Sequence, residues 1–430
     1  MRRAAFALTV VAVVVGAWSS ALAQTPLPPV RELTVDALVA EALRTHPELQ
    51  AARLEIDAAG GRVRQAALRP NPTLDLGGQK ALGPDNNVSV GVTLPLDLNG
   101  RKEGRVGVAE RERDLRVALF AERERKLRAD IRMKAGEMLA ARRNLETTDL
   151  LLEANRRARN VVSHRVREGA APAIDDNLQL VEVNRLEAAR TVMASRVEIL
   201  LLQLKTVAGL AVDTPIELRD ELRHRMVTMD QESAARMALE QRADVRAARA
   251  EVAAGEARLR KERAEGRWDA SVNVGYQRME SGFDLMGQTA NGTFRPIQDV
   301  FHYFGAGVSI VLPVRNRNQG NIAAAEAETL SARRRQEFTE LAARQEVASA
   351  FAQHMAAQRA VDLYEMGVRD VAHRNLDIVR RSYELGRGSL LDVIGEQRRY
   401  LEIETAFTAV LKDLYDAYVE IERAVGAPAR

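Results

Sequence analysis

No cysteine occurs anywhere in the 430 residues. Disulfide frameworks, thiolate metal sites, thiol catalysis and a lipidated N-terminal cysteine are therefore excluded. Aromatic residues are scarce at 4%, whereas charged residues make up 29%. Ala, Leu, Arg and Glu carry the chain, a balance that favours long helices and coiled coils. Neither sign of charge dominates: the formal charge is +3, and basic runs such as Arg111 to Arg128 alternate with Glu. That removes the electrostatic case for nucleic acid, and the runs read as solvated helix faces. There is no nucleophile–base constellation and no phosphate loop; Gly305-Ala306-Gly307 falls in a strand pattern rather than a nucleotide fingerprint. The six histidines (His46, His164, His224, His302, His354, His373) have no ligand spacing. The chain is read as non-enzymatic, with no cofactor and no metal site.

Long apolar runs are also missing, with one exception at the start. Arg2 and Arg3 precede an apolar run from Ala4 to Gly16, and Ala21-Leu22-Ala23 is a small-x-small cleavage site. The run is shorter than the roughly 20 residues a spanning helix needs. It is expected to be a signal peptide over 1–23, with the mature chain beginning at Gln24. No later stretch is apolar enough for a transmembrane helix, so any membrane insertion must use strands.

What is present is a long rod, twice. From about 105 to 168 no proline interrupts the chain, and past Gly107 the only glycine is Gly136. Ile131, Met138, Leu145 and Leu152 recur at every seventh position, one apolar ridge on a slowly supercoiling helix. About 64 residues at about 1.5 Å each make a rod of roughly 95 Å. A second rod is expected over about 321–385. Ala247-Ala248-Arg249…Glu251…Ala254…Arg258 repeats Ala51-Ala52-Arg53…Glu55…Ala58…Arg62 at a constant offset. The chain thus divides into a first repeat (24–229) and a second (230–430). Each reads helix, helix, strand, strand, long helix, turn, helix, with the last helices over about 174–208 and 390–425. Each rod has the length to pack on two shorter helices lying in tandem. Residues 24–32 read as an extended lead-in, and 210–229 as a mixed connector.

The hairpins fall at about 72–98 and 269–313. Val88, Val90, Val92, Leu94, Leu96 and Leu98 alternate with polar or small residues, as do Ala270, Val272, Val274 and Tyr276, and Phe304, Ala306, Val308, Ile310 and Leu312. A soluble half-buried hairpin carries the same alternation. The strands nevertheless have the length that a tilted membrane strand needs. A loop is expected between them at roughly 279–300. Pro95 and Pro313 mark the places where strand gives way to helix. Four strands cannot close a barrel, and lipid does not tolerate an open edge, so several chains must contribute. Three chains give twelve strands and a lumen wider than eight would.

Three features now carry a resemblance: Asn71-Pro72 before the first strand; Leu94-Pro95-Leu96 and Leu312-Pro313-Val314; and the turns Gly169…Ile174-Asp175 and Gly386…Leu391-Asp392, which share one Gly-x5-Asp frame. The chain resembles the TolC-like outer-membrane efflux proteins over essentially its whole mature length. Arg69-Pro70-Asn71-Pro72 and Asp97-Leu98-Asn99-Gly100-Arg101-Lys102 look more like the heavy-metal cation-efflux branch. The resemblance implies a mainly α fold with a small β part: a homotrimeric, twelve-stranded barrel in outer-membrane lipid, continuing into an α-helical tunnel across the periplasm. It implies an exit duct for a tripartite pump, whose partners are a periplasmic adaptor protein and an inner-membrane transporter. The adaptor would meet the tip turns at Gly169, Ala170, Gly386, Arg387, Gly388 and Ser389. Asp392, Asp175 and Glu396 would form the pore constriction, and Tyr383 would latch the tip. Helix N-terminal capping and a pore role are both open for Asp175 and Asp392. The rivals are a periplasmic coiled-coil scaffold and an ungated general porin.

Overall fold

The computed structural model describes residues 31–83, 85–223 and 227–426. The expected leader lies outside them. Thr34 starts the first helix, α1 (Val35–Thr45), by accepting the amide of Ala37 at 3.1 Å. Pro47 occupies the first turn of α2 (Pro47–Ala66), where its missing N–H costs nothing. The chain then forms strands β2 (Thr73–Lys80) and β3 (Asn86–Pro95), with Pro95 as the last residue of the ladder. A tight corner follows. Asp97 and Asn99 adopt left-handed φ values of 52° and 61°, and the Asp97 carboxylate is gripped by both Arg105 nitrogens at 2.9 and 2.6 Å. That grip aims α3 (Arg101–Arg167), a single unbroken helix of 67 residues. Helix α4 (Ala173–Val207) turns back along it.

The second half repeats the plan with α5 (Gln231–Gln241), α6 (Ala243–Glu265), β5 (Asp269–Gln288), β6 (Phe294–Val311), α7 (Gln319–Leu363), α8 (Arg369–Glu384) and α9 (Leu390–Val425). The second rod is one uninterrupted helical run, in which a π-helical turn at Tyr364–Val368 joins α7 to α8. Gly367 lies inside that turn. One expectation is corrected here. The expected loop at 279–300 is instead mostly strand, because β5 and β6 stay paired as far as Gln288↔Phe294. The lead-in and the connector each hold a short strand, β1 (Arg31–Leu33) and β4 (Ile216–Leu218), paired in parallel. Pro313 lies two residues beyond the end of β6.

Strands β2, β3, β5 and β6 form one antiparallel sheet in that order, so the two hairpins join through β3 and β5. The helices repeat the order: α2 packs on α3, α3 on α6, and α6 on α7. Further from the sheet, α4 packs on α3, α3 on α9, and α9 on α8. The main core lies midway, where Leu38, Ile131, Leu139, Leu204, Leu218, Val361, Phe407 and Leu414 are buried together. Gly136 allows a close approach there, since a Cβ on it would lie 2.7 Å from the Tyr415 ring.

Candidate functional site

The sheet has two chemically different faces. Register places Leu74, Val92, Val274 and Ala306 in one row across it. Leu76, Val90, Tyr276 and Phe304 form the next row on the same face, and Leu94, Val272 and Val308 form the row on the other side. The opposite face carries Thr73, Thr93, Asn273 and Gly307 in one row, and Asp75, Gly91, Gly275 and Gly305 in the next. One face is therefore apolar across all four strands and the other polar or small, the pattern of a barrel wall between lipid and water. The apolar residues are mostly exposed in the single chain; Phe304 is 84% accessible.

The wall is incomplete at both sides. β2 and β6 are the edges of the sheet. Their helical continuations, α2 and α7, expose Leu54 on one flank and Leu330, Phe338 and Leu341 on the other. Nearer the turns, α4 exposes Val181, Val192 and Ile199, while α8 exposes Val371 and Ile378. Each flank thus combines a bare strand edge with apolar helix faces. Two different flanks that complete one another make a head-to-tail contact, which closes into a ring when the rotation fits.

At the far end, two helical turns share one construction. Gly169 and Gly386 adopt left-handed φ values of 73° and 72°. The amides of Ala170 and Arg387 then reach back to the carbonyls of Arg165 and Ser382, at 2.7 and 2.8 Å. This closes each helix on its own orphan carbonyls, the reason glycine stands at both positions. The residues after the turns differ. Asp392 lies in a capping box: its amide donates to Ser389 Oγ at 3.2 Å, and its carboxylate accepts from the Ser389 amide at 3.2 Å and hydroxyl at 2.8 Å. Those bonds hold the exposed Asp392 carboxyl below its usual range. Asp175, in the matching frame, caps nothing with its side chain. It accepts instead from the Tyr383 hydroxyl at 3.3 Å, across from the other helical hairpin. Burial, then the nearby Asp175 charge, pushes the Tyr383 phenol up. Glu396 pairs with Arg399 on its own helix at 3.2 Å.

Sequence reasoning missed a second link between the hairpins. Glu182, 1% exposed in the middle of α4, is bonded by Arg185 of its own helix at 2.6 Å and by Arg398 of α9 at 2.7 Å. Burial works to raise this carboxyl, but the two guanidinium groups outweigh it and hold it below its usual range. The signal was available: Asp175, Gln179, Glu182 and Leu186 follow one helical stripe. Two of its polar members, Gln179 and Glu182, are buried and need partners. Around the link, Leu401 of α9 packs on Leu152, Val183 and Leu186, and Leu178 packs on Leu390, Val393 and Ile394. Among the described residues no group of three or more His, Asp or Glu side chains is placed to hold a metal ion.

The model of the outer membrane efflux protein family matches residues 38–208 and 234–427. This chain belongs to that family. Its two matched segments correspond to the two structural repeats. The cobalt-zinc-cadmium resistance protein CzcC of Cupriavidus metallidurans is 23% identical over 92% of this chain and 90% of its own length. Among solved structures, a membrane protein from Pseudomonas aeruginosa superposes with a TM-score of 0.73 at 20% identity, over 92% of this chain and 94% of that one. CusC gives 0.73 at 16% identity, over 93% of each chain. VceC from Vibrio cholerae gives 0.72 at 19%, over 92% of this chain and 97% of that one. This is a TolC-like outer-membrane efflux protein by fold as well as by family, and its sheet is the part suited to lipid.

Proposed function

We propose that the protein is the trimeric, gated exit duct of a tripartite efflux pump. The observation that carries this is the four-stranded sheet: one face apolar in every strand, the other face polar, both edges unpaired. A sheet of this kind is stable in lipid only when copies close it. Three copies supply twelve strands, and their helices continue the cylinder on the periplasmic side. The leader over 1–23 is read as the export signal.

The tip is the gate. Tyr383 with Asp175, and Arg398 with Glu182, tie the α8–α9 hairpin to the α3–α4 hairpin and hold the tunnel narrow. A periplasmic adaptor engages the turns at Gly169, Ala170, Gly386, Arg387, Gly388 and Ser389, and its docking, coupled to an inner-membrane transporter, spreads them. Asp175, Asp392 and Glu396 give the tip an acidic rim that favours cations. The name of CzcC supports heavy-metal cations as the cargo.

Single-channel recording of the purified protein in planar bilayers tests this. A gated duct is nearly closed at rest and opens when the tip ties are cut. A wide, permanently open conductance means an ungated porin and overturns the gate; a soluble protein that never inserts overturns the duct.

A further inference from the structure

The chain carries a worked example of a joint between repeats. Inside it, the first repeat meets the second through β3 against β5 and α3 against α6. The outer counterparts of these elements, β6 with α7 on one flank and β2 with α2 on the other, are left without that neighbour.

The hairpin registers fix which residues correspond. The pairs nearest the helices are Thr73↔Thr93 in one hairpin and Asp269↔Val311 in the other. Strand β2 therefore matches β5 with Thr73 on Asp269, and β3 matches β6 with Thr93 on Val311, which also sets Pro95 on Pro313. The helices continue the match. Ala51-Ala52-Arg53 falls on Ala247-Ala248-Arg249 at the same shift as Thr73 on Asp269, and Gly104-Arg105-Val106 falls on Gly320-Asn321-Ile322. The buried Ala109 and Ala325 coincide in this match.

Each contact of the inner joint can then be carried to the flanks. Gly91 pairs with Gly275, and Leu94 with Val272; the counterparts are Ser309 with Gln79, and Leu312 with Leu76. Faces are kept, since the first of these pairs is polar and the second apolar. Glu112 of α3 accepts from Arg258 of α6 at 2.8 Å, and a Cβ on Gly104 would lie 3.0 Å from Lys261 Cα. The counterparts are Glu328 with Arg62, and Gly320 with Gln65, all four exposed. Among the described residues neither Arg62 nor Glu328 has an ion-pair partner within the chain, and a Cβ on Gly320 would meet nothing within 4 Å.

What the inner joint covers, the flanks leave bare. Glu122 and Arg125 of α3 are 8% and 7% exposed, whereas their counterparts on α7, Phe338 and Leu341, are 71% and 60% exposed. On α6, Ala247 and Ala254 are buried on the helix stripe that carries Arg258 and Lys261. Their counterparts Ala51 and Ala58 are exposed on the α2 stripe that carries Arg62 and Gln65. The chemistry changes at one place. The inner joint holds an ion pair of Arg125 with Glu122 at 2.7 Å and reaches Asp244 at 3.7 Å. The flank offers two large apolar side chains there, which gain by leaving water.

We propose that copies of the chain join by repeating its inner joint: β6 of one copy pairs with β2 of the next with Leu312 opposite Leu76 and Ser309 opposite Gln79, Glu328 meets Arg62, and Gly320 lies against Gln65. The occupant of each flank is the opposite flank of a second copy. The inference rests on the trimeric duct and adds the register of its three seams.

The lack of native cysteine makes the test direct. The Leu96 amide donates to the Ala270 carbonyl at 3.0 Å, so Gly91↔Gly275 falls on a non-hydrogen-bonded pair of the alternating ladder. Ser309 and Gln79 across the seam inherit that geometry, with Cα atoms about 4.5 Å apart, within reach of a disulfide. Within one chain β2 and β6 lie three strand spacings apart, about 14 Å, which is out of reach. Gln79→Cys with Ser309→Cys, oxidised mildly in outer membranes, should give a ladder ending at three chains on non-reducing denaturing gels. Gln79→Cys with Gly305→Cys, about 13 Å off register, should give less than a tenth of that product. Equal or greater linking in the second variant overturns the register, as does no linking in the first when the extracted particle still has the mass of three chains. A particle with the mass of one chain would instead mark failure of the duct reading. The helical part of the seam is read separately. Glu328→Arg should lower the temperature at which the particle dissociates on gels, and adding Arg62→Glu should restore at least half of the loss; no restoration overturns that contact.

Discussion

Replacing Arg398 by Gln separates closure from folding. The Glu182 side chain is only 2% exposed, so stripping it of all partners would leave a buried, uncompensated charge. Arg398→Gln does not do that, because Arg185 still binds the carboxylate through Nη2 at 2.6 Å and Nε at 3.0 Å. What disappears is the link to α9, the Arg398 Nη2 and Nε bonds to Oε2 at 2.7 and 3.1 Å. Hydrogen bonds to charged groups contribute about 1.5–3 kcal/mol. Arg398 is half exposed, and solvent screening reduces the figure to about 1–1.5 kcal/mol per protomer. At about 1.4 kcal/mol per tenfold, the open fraction should rise about tenfold if one link limits opening, and toward a thousandfold if three act together. Open probability in planar bilayers is the assay. Arg185→Gln is the control: it weakens the α4 side of the cluster, lowers thermal stability and leaves the hairpins tied. The reasoning is refuted if Arg398→Gln matches the wild type while Tyr383→Phe opens the channel, or if Arg185→Gln opens it as readily.

The same cluster sets a pH response. Arg185 and Arg398 together hold the Glu182 carboxyl below its usual range when the tip is closed; opening removes the Arg398 part, so this contribution to closure is present at neutral pH and is lost in acid as the carboxyl protonates. Open probability should therefore rise in acid; opening on alkalinisation from neutral pH to 8 would contradict the assignment. Asp392→Asn should lower the cation-over-anion permeability ratio read from reversal potentials, and an unchanged ratio removes Asp392 from the acidic rim. Val274→Arg puts a charge on the lipid face and should cost about 2–4 kcal/mol of barrel stability. Asn273→Arg, one residue away on the water face, should cost less than about 1 kcal/mol and change conductance instead; equal costs by heat-modifiability on gels would contradict the assigned faces.

The alternation in β3, β5 and β6 was legible because each strand has one apolar face and one polar or small face, and a period of two is their direct imprint. Joining the hairpins through β3 and β5 was not legible, since pairing partners are chosen by tertiary closure rather than by local pattern. The outer end of β5–β6 was read as loop for a physical reason. Gly282, Gly287, Gly292 and Pro296 are loop formers, and polar residues such as Arg278, Glu280, Ser281 and Asp299 interrupt the apolar alternation there. The π-turn at Tyr364–Val368 left only Gly367 as a trace, and β1 and β4 are three residues each, too short for a pattern. At the tip, the shared Gly-x5-Asp frame located both turns but assigned Asp175 and Asp392 the same surroundings. Ser389 explains the difference: it engages Asp392 in a capping box, while Pro172 at the other turn has no side-chain acceptor to offer. Glu182 and Arg398 lay hidden among many Glu–Arg pairs that only stabilise solvated faces.

Whether one chain is a fraction of a closed wall is tested most directly by the native mass of the protein extracted from outer membranes in mild detergent. The bare edges of β2 and β6 and the apolar flanks call for a particle of about three chains of 47.5 kDa, each shorter by any cleaved leader. A stable particle containing a single chain would contradict the closed wall, and with it the duct.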